Sequence, residues 1–168
     1  PLYSSAASDV YKRQAYAGTG YVIITISTGG FDAMRADIEI PEKYGILQTV
    51  GDTVGPGGWN RALRNIPVFV RIAKAIEEYS DDAVVMNYSN PMALLTQALA
   101  ENCSLRVTGL CHGIFSAMDL FAALLAADKT KIQVEFGGTN HFFFITDVRV
   151  DGEPGYPILA DSLAGKTL

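Results

Sequence analysis

The chain has 168 residues, which suits one domain, and its 49% hydrophobic and 18% charged content supports a packed core and excludes a disordered chain. A formal net charge of −5 argues against nucleic acid and against an anionic membrane surface as partners. Cys103 and Cys111 make no disulfide framework, no apolar stretch is long enough to span a bilayer, and no signal-peptide pattern opens the chain, so a cytoplasmic enzyme or binding domain is the default expectation.

Residues 1–14 (PLYSSAASDVYKRQ) differ in character from the rest of the chain. They are small, polar and without period. They resemble a translated adapter-like tail and are expected to be non-native. Gly18-Thr19-Gly20 precedes the first strand instead of following it, so it reads as a turn and not as a dinucleotide fingerprint. No G-x-G-x-x-G occurs anywhere in the chain. Tyr21 to Ile26 is a continuous, largely β-branched run and predicts a buried strand, ended by Ser27-Thr28-Gly29-Gly30.

Phe31 to Val50 reads as a helix and loop, with Arg35, Asp37, Glu39 and Lys43 on a solvated face. Gly51 to Gly58 holds four glycines and a proline and is expected to be irregular, either a plain loop or a close backbone approach to a ligand. It has no Walker Gly-Lys-Ser/Thr, which excludes a P-loop. Trp59 to Tyr79 predicts a long helix with Leu63, Ile66, Val70, Ala73 and Ile76 near one face. Pro67 is expected to kink it or to mark a fresh start.

Ala83 to Met86 predicts a second buried strand, and Asn87-Tyr88-Ser89-Asn90-Pro91 turns out of it. Met92 to Ala100 is a helix with Pro91 near its first position, where a missing N–H costs nothing. Leu105 to Thr108 is a strand, expected to be central, that leads into Gly109-Leu110-Cys111-His112-Gly113 and a helix over 114–127. Ile132 to Phe136 is a strand that Gly137 to His141 should break. Phe142 to Val150 is another strand, closed by a tight Asp151-Gly152 turn. From Glu153 onward the signal is poor. Alternating strands and helices predict an α/β fold, a parallel sheet with right-handed crossovers.

Asn90 and Cys111 each follow a parallel strand and so reach the same sheet edge, where open α/β folds bind ligands. His141 follows another strand. Asn offers a donor and an acceptor to a sugar hydroxyl or a nicotinamide amide. Cys and His give two ligands to a metal and leave positions open for substrate. Each residue has an ordinary structural reading as well. Cys111 is a small hydrophobe, Asn90 a turn residue before proline, and His141 a satisfied strand histidine.

Together, the collinear motifs resemble glycoside hydrolase family 4. They are Thr28-Gly29-Gly30-Phe31-Asp32-Ala33-Met34-Arg35, Ile40-Pro41-x-x-Tyr44-Gly45, Gly51-Asp52-Thr53-x-Gly55-Pro56-Gly57-Gly58 and Ala62-Leu63-Arg64-x-Ile66-Pro67. Asn87-Tyr88-x-Asn90-Pro91-Met92-Ala93, Gly109 to Gly113 and Gly138-x-Asn140-His141 complete the set. The resemblance runs from about Tyr21 to Val150. It implies a doubly wound, Rossmann-like, mostly parallel sheet of the lactate/malate dehydrogenase type, here truncated at both ends. Residues 15–137 would be a partial NAD-binding domain, and residues 138–168 the start of the substrate and metal domain.

The resemblance also implies NAD and a divalent metal, usually manganese, as cofactors. Cys111 and His141 match the metal ligands. Asn90 matches the sugar-binding asparagine, and Asn140 would line the sugar site. His112 is a candidate near the leaving-group oxygen, and the Cys-His pair resembles the branch acting on unphosphorylated α-glycosides, notably α-galactosides. Ser27, Thr28, Gly29, Gly30 and Asn87 match backbone regions near the nicotinamide and ribose. Family 4 enzymes do not use the two-carboxylate route of most glycosidases. The resemblance therefore implies that hydride passes from carbon 3 of the sugar to NAD, the metal polarises the ketone, carbon 2 loses its proton, the aglycone is eliminated, water adds and the hydride returns.

The family's dinucleotide glycine loop would precede Tyr21 and its tyrosine base would follow residue 168, so this segment alone is expected to be inactive. The full-length protein is expected to be a homo-oligomer. The rival readings are a lactate/malate dehydrogenase-type oxidoreductase, which needs no metal, and an inactive fragment.

Overall fold

A computed structural model describes residues 13–164, so the expected tail lies, for residues 1–12, outside the described residues. The chain divides into two compact units, one running through Leu110 and the other starting at Cys111.

In the first unit β1 (Tyr21–Ile24), β2 (Val84–Asn87) and β3 (Arg106–Gly109) form a parallel sheet in the order β1-β2-β3. Their register puts Ile24 beside Asn87 and Asn87 beside Gly109, so the three strands end level at one edge. The expected central strand, β3, is a lateral one, and β2 is central. Helices α1 (Gly30–Glu42), α2 (Gly55–Tyr79) and α3 (Met92–Asn102) make the connections.

The core joins Ile24, Ala83 and Val85 of the sheet side to Phe69, Ala73 and Ile76 of α2 and to Leu95 and Leu99 of α3. Phe69, Ile76, Leu95 and Leu99 are fully buried, each contributing about 1.5–3 kcal/mol of transfer free energy. The continuous apolar runs predict strands buried on both faces, yet β1 alternates. Ile24 is buried while Tyr21 and Ile23 are exposed. Side chains switch faces at every residue, and the packed core lies on one face of this sheet.

Three expectations for this unit need correcting. The glycine-rich run is not all irregular, because Gly55-Pro56-Gly57-Gly58 is the first turn of α2. A Cβ on Gly57 would meet the Asp37 carbonyl oxygen at 2.6 Å, and one on Gly58 would run into the Thr53 backbone. The glycines there permit close backbone approach, and Pro56 stands where a missing N–H is harmless. Second, α2 runs unbroken through Pro67 as one 25-residue helix. Proline removes the N–H that would reach the carbonyl four residues back, and both Pro67 and Leu63 are exposed, on the solvent side. Leu63, expected on the apolar face, is 51% exposed. Third, Asp37 is not on a solvated face. It is 3% exposed, and with Pro41 it is what α1 buries, while Arg35, Glu39 and Lys43 are exposed as expected.

The second unit contains α4 (Gly113–Leu124), a short 3-10 turn at Lys129–Lys131, β4 (Ile132–Thr139), β5 (Phe142–Val150), β6 (Glu153–Pro154) and α5 (Gly155–Leu163). Its sheet is antiparallel, in the order β4-β5-β6. The break expected at Gly137 to His141 is shorter than predicted. Strand β4 continues to Thr139, and Asn140-His141 alone make the hairpin turn. Gly138, at φ 129°, lets the chain pass where a Cβ would strike the Phe142 carbonyl oxygen at 2.6 Å. The Asp151-Gly152 turn forms as expected, with both residues at positive φ. Ile132 and Val148 are buried, and Phe121 of α4 meets Tyr156 of α5 edge-on at 6.3 Å. No described helix is long and apolar enough to cross a membrane.

Candidate active site

The loops leaving β1 and β2 are knitted together at the carboxyl edge of the first sheet. Tyr88 N–H donates to the Ile24 carbonyl at 2.8 Å, and Leu110 N–H donates to the Asn87 carbonyl at 2.9 Å. Ile26 N–H donates to Ser89 Oγ at 2.8 Å. Thr28 donates to Asn65 Oδ1 through its backbone N–H (3.2 Å) and its hydroxyl (2.7 Å), and Asn65 Nδ2 donates to the Arg61 carbonyl at 2.8 Å. This fixes the Ser27–Gly30 stretch, a cofactor-contact candidate. Gly29 and Gly30 have positive φ, and a Cβ on Gly30 would meet nothing within 4 Å, so the backbone there lies open to a ligand.

Asn87 is fully buried. Its Nδ2 donates to the carbonyls of Ser89 and Met92 and to Thr96 Oγ1, and its Oδ1 accepts from Ser89 N–H at 2.8 Å. The side chain therefore holds the turn, and the backbone is what Asn87 can offer a cofactor.

Asn90 is half-buried and gripped twice. Its Nδ2 donates to Asp52 Oδ2 at 3.0 Å, and its carbonyl accepts from Arg61 Nε at 3.0 Å. The Thr53 hydroxyl donates to the other Asp52 oxygen at 2.7 Å. The Asp52 carboxylate, carried by the Gly51–Gly58 run, thus lies against Asn90, 38 residues further along the chain. Behind this group, Asp37 accepts from Arg64 at 2.9 and 2.5 Å and from Asn60 Nδ2 at 2.8 Å. Burial pushes the Asp37 carboxyl up. The hydrogen bonds from Arg64 and Asn60 and the charges of Arg64 and Arg61 outweigh it, and hold the carboxyl below its ordinary value. The hydrogen bond to Asp37 in turn raises Arg64. Sequence reading misses these groups, although Asn60, Arg61, Arg64 and Asn65 are spaced to share one face of an otherwise apolar helix.

The second unit carries the remaining candidates. Cys111 is half-buried, and its sulfur accepts from Gly113 N–H at 3.4 Å. His112 is exposed and stands at the N-cap position of α4, where its side chain makes no capping hydrogen bond. In the β4–β5 turn His141 is exposed and stands at φ 60°. Beside it the buried Asn140 Oδ1 has no hydrogen-bond partner. An orphaned amide oxygen, a lightly engaged sulfur and an exposed imidazole fit a substrate-chelated metal. Among the described residues no three His, Cys, Asp or Glu side chains group closely enough to hold a metal unaided, so substrate or other oxygens would have to complete the sphere.

The model of the family 4 glycosyl hydrolases matches residues 5–127. The chain belongs to that family. It is 44% identical over 145 residues to an α-galacturonidase of Thermoanaerobacterium saccharolyticum, covering 82% of this chain and 31% of the relative. It is 42% identical to an α-galactosidase of Bacillus subtilis, covering 87% and 34%. This family 4 chain thus spans about a third of the length of the curated relatives it matches.

Among solved structures, the putative glucosidase lplD from Bacillus subtilis superposes with a TM-score of 0.84 at 36% identity, covering 90% of this chain and 37% of that one. A 6-phospho-β-glucosidase from Thermotoga maritima, solved with manganese, NAD+ and glucose-6-phosphate, gives 0.79 at 27%, covering 90% and 37%. The lactate dehydrogenase of Eimeria maxima gives 0.62 at 14%, covering 90% and 42%, a likeness of fold alone. The dehydrogenase-like, Rossmann-type α/β fold is as expected, and family membership separates this chain from the dehydrogenase reading.

Proposed function

We propose that this chain is the part of a NAD- and manganese-dependent α-glycosidase that presents the cofactor and sugar edge of its Rossmann-like domain. The reading rests on the loops after β1 and β2, tied to one edge of the sheet with Asn90 held in a fixed pose. That edge is where open α/β sheets take ligands. NAD suits the fold and the open backbone at Gly30. Manganese suits a donor set of Cys111 and His141 completed by substrate oxygens.

When bound, NAD would supply a reversible hydride acceptor for carbon 3 of the sugar, taking the hydride and giving it back, and the metal would supply a Lewis acid for the carbon 3 oxygen. The chain's residues serve that chemistry by position. Ser27 to Gly30 and the Asn87 backbone line the cofactor. Asn90 and Asn140 would hydrogen-bond the sugar, Cys111 and His141 would hold the metal, and His112 would deliver a proton to the leaving oxygen. The favoured substrate is an α-galactoside. An α-galacturonide is the second reading, because the relatives include enzymes named for each sugar.

Turnover of aryl α-galactoside and α-galacturonide by the full-length protein in deuterated water tests the proposal. Deuterium should enter the product at carbon 2, and activity should fall when NAD or manganese is removed. No deuterium at carbon 2 at full turnover, with indifference to NAD removal, would sink it.

A further inference from the structure

Asn90 Nδ2 donates to the Asp52 carboxylate at 3.0 Å, while Asn90 Oδ1 has no hydrogen-bond partner among the described residues. A carboxylate only accepts, so it selects one of the two ways an amide can face. With the NH2 turned to Asp52, the oxygen is the end left for a ligand. The rest of the assembly is braced. The Thr53 hydroxyl holds the second Asp52 oxygen at 2.7 Å, and Arg61 Nε holds the Asn90 carbonyl at 3.0 Å. The Gly51–Gly58 run that carries Asp52 is itself seated by backbone contacts too tight for any side chain at Gly57 or Gly58.

From this we infer that Asp52 is a positioning residue, which sets the amide of Asn90 so that Oδ1 accepts from a sugar hydroxyl, with Arg61 pinning the main chain beneath it. The inference rests on Asn90 binding the substrate, as proposed above. Without Asp52 the amide is free to flip and present NH2 to the same hydroxyl. A hydroxyl can answer either end, but its own proton then points elsewhere and the ring loses its register. Loss of a charge-assisted hydrogen bond of this kind corresponds to about a tenfold or larger effect.

The test is a double-mutant cycle in the full-length enzyme with NAD and manganese present, using Asp52→Ala and Asn90→Ala, with Asp52→Asn as the conservative variant. Asp52→Ala should raise KM for the glycoside about tenfold while leaving the affinities for NAD and manganese unchanged. Asp52→Asn should recover most of the loss, because an amide oxygen can still accept from Asn90. In the Asn90→Ala background, Asp52→Ala should add nothing. Additive effects, or an Asp52→Ala defect confined to thermal stability, would overturn the inference while leaving the substrate role of Asn90 standing. An Asn90→Ala enzyme with unchanged KM and kcat would remove both that role and the inference.

Discussion

The Asp37 carboxylate of α1 takes both terminal nitrogens of Arg64 on α2, at 2.9 and 2.5 Å, and so joins the two helices through a buried ion pair. Asn60 adds a third donor at 2.8 Å. The contact is unusual for its setting, because α1 turns a charge inward and leaves Phe31 and Ile40 outside. Breaking a buried pair from one side leaves the partner charge uncompensated. Asp37→Ala should therefore destabilise the chain by about 3 kcal/mol in urea unfolding. Asp37→Leu is no remedy, since Arg64 would keep its charge.

The same pair sets a pH dependence. The Asp37 carboxyl is held below its ordinary value of 3.8 in the folded chain, with burial opposing and the Arg64 and Asn60 hydrogen bonds prevailing. A depressed folded value stabilises above the unfolded value, and the contribution is lost as pH falls through the folded one. Unfolding free energy measured from pH 6 down to pH 2 should fall most steeply below about pH 4. In Asp37→Asn that acid-side slope should be shallower. Equal slopes in the two proteins would show that other carboxylates govern the acid limb.

Much of this was legible in the sequence because it was local. The apolar runs located β1, β2 and β3 to within two residues, and β5 came out as read from Phe142 to Val150. What stayed hidden was pairwise and distant. Nothing near Asp37 in the chain announces Arg64, and nothing near Asp52 announces Asn90, 38 residues on. The glycine run misled for a related reason. Glycine is read as a helix breaker by local propensity, but at Gly57 and Gly58 its missing side chain answers to backbone from elsewhere.

Alanine substitutions at Gly58 and Gly20 separate close backbone approach from local propensity. Gly58→Ala drives a Cβ into the Thr53 backbone, which cannot swing aside as a flexible side chain could. The cost should be about 1–3 kcal/mol, as for overpacking generally. Gly20→Ala is the control, since a Cβ there meets nothing within 4 Å and the position has no positive φ. That variant should be neutral or stabilised by up to about 1 kcal/mol. A Gly58→Ala variant that is neutral or more stable, as helix propensity alone would make it, would show that close approach does not explain Gly58.

The two cysteines allow a last discrimination. Cys103 packs against the first core, and its thiol donates to the Leu99 carbonyl at 3.2 Å. Among the described residues Cys111 has only the Gly113 N–H, at 3.4 Å, and its lone pairs remain available to a cation. Serine replaces a soft sulfur by a hard, poorly ionised oxygen. In the full-length enzyme, Cys111→Ser and His141→Ala should each weaken manganese binding at least about tenfold, the scale on which even residues behind the ligands act. Cys103→Ser should leave manganese affinity unchanged and lower stability only modestly. Manganese titration followed by electron paramagnetic resonance reads the free ion directly and does not depend on turnover. Should Cys111→Ser titrate like the unsubstituted enzyme, Cys111 is a packing residue and the metal must be held elsewhere.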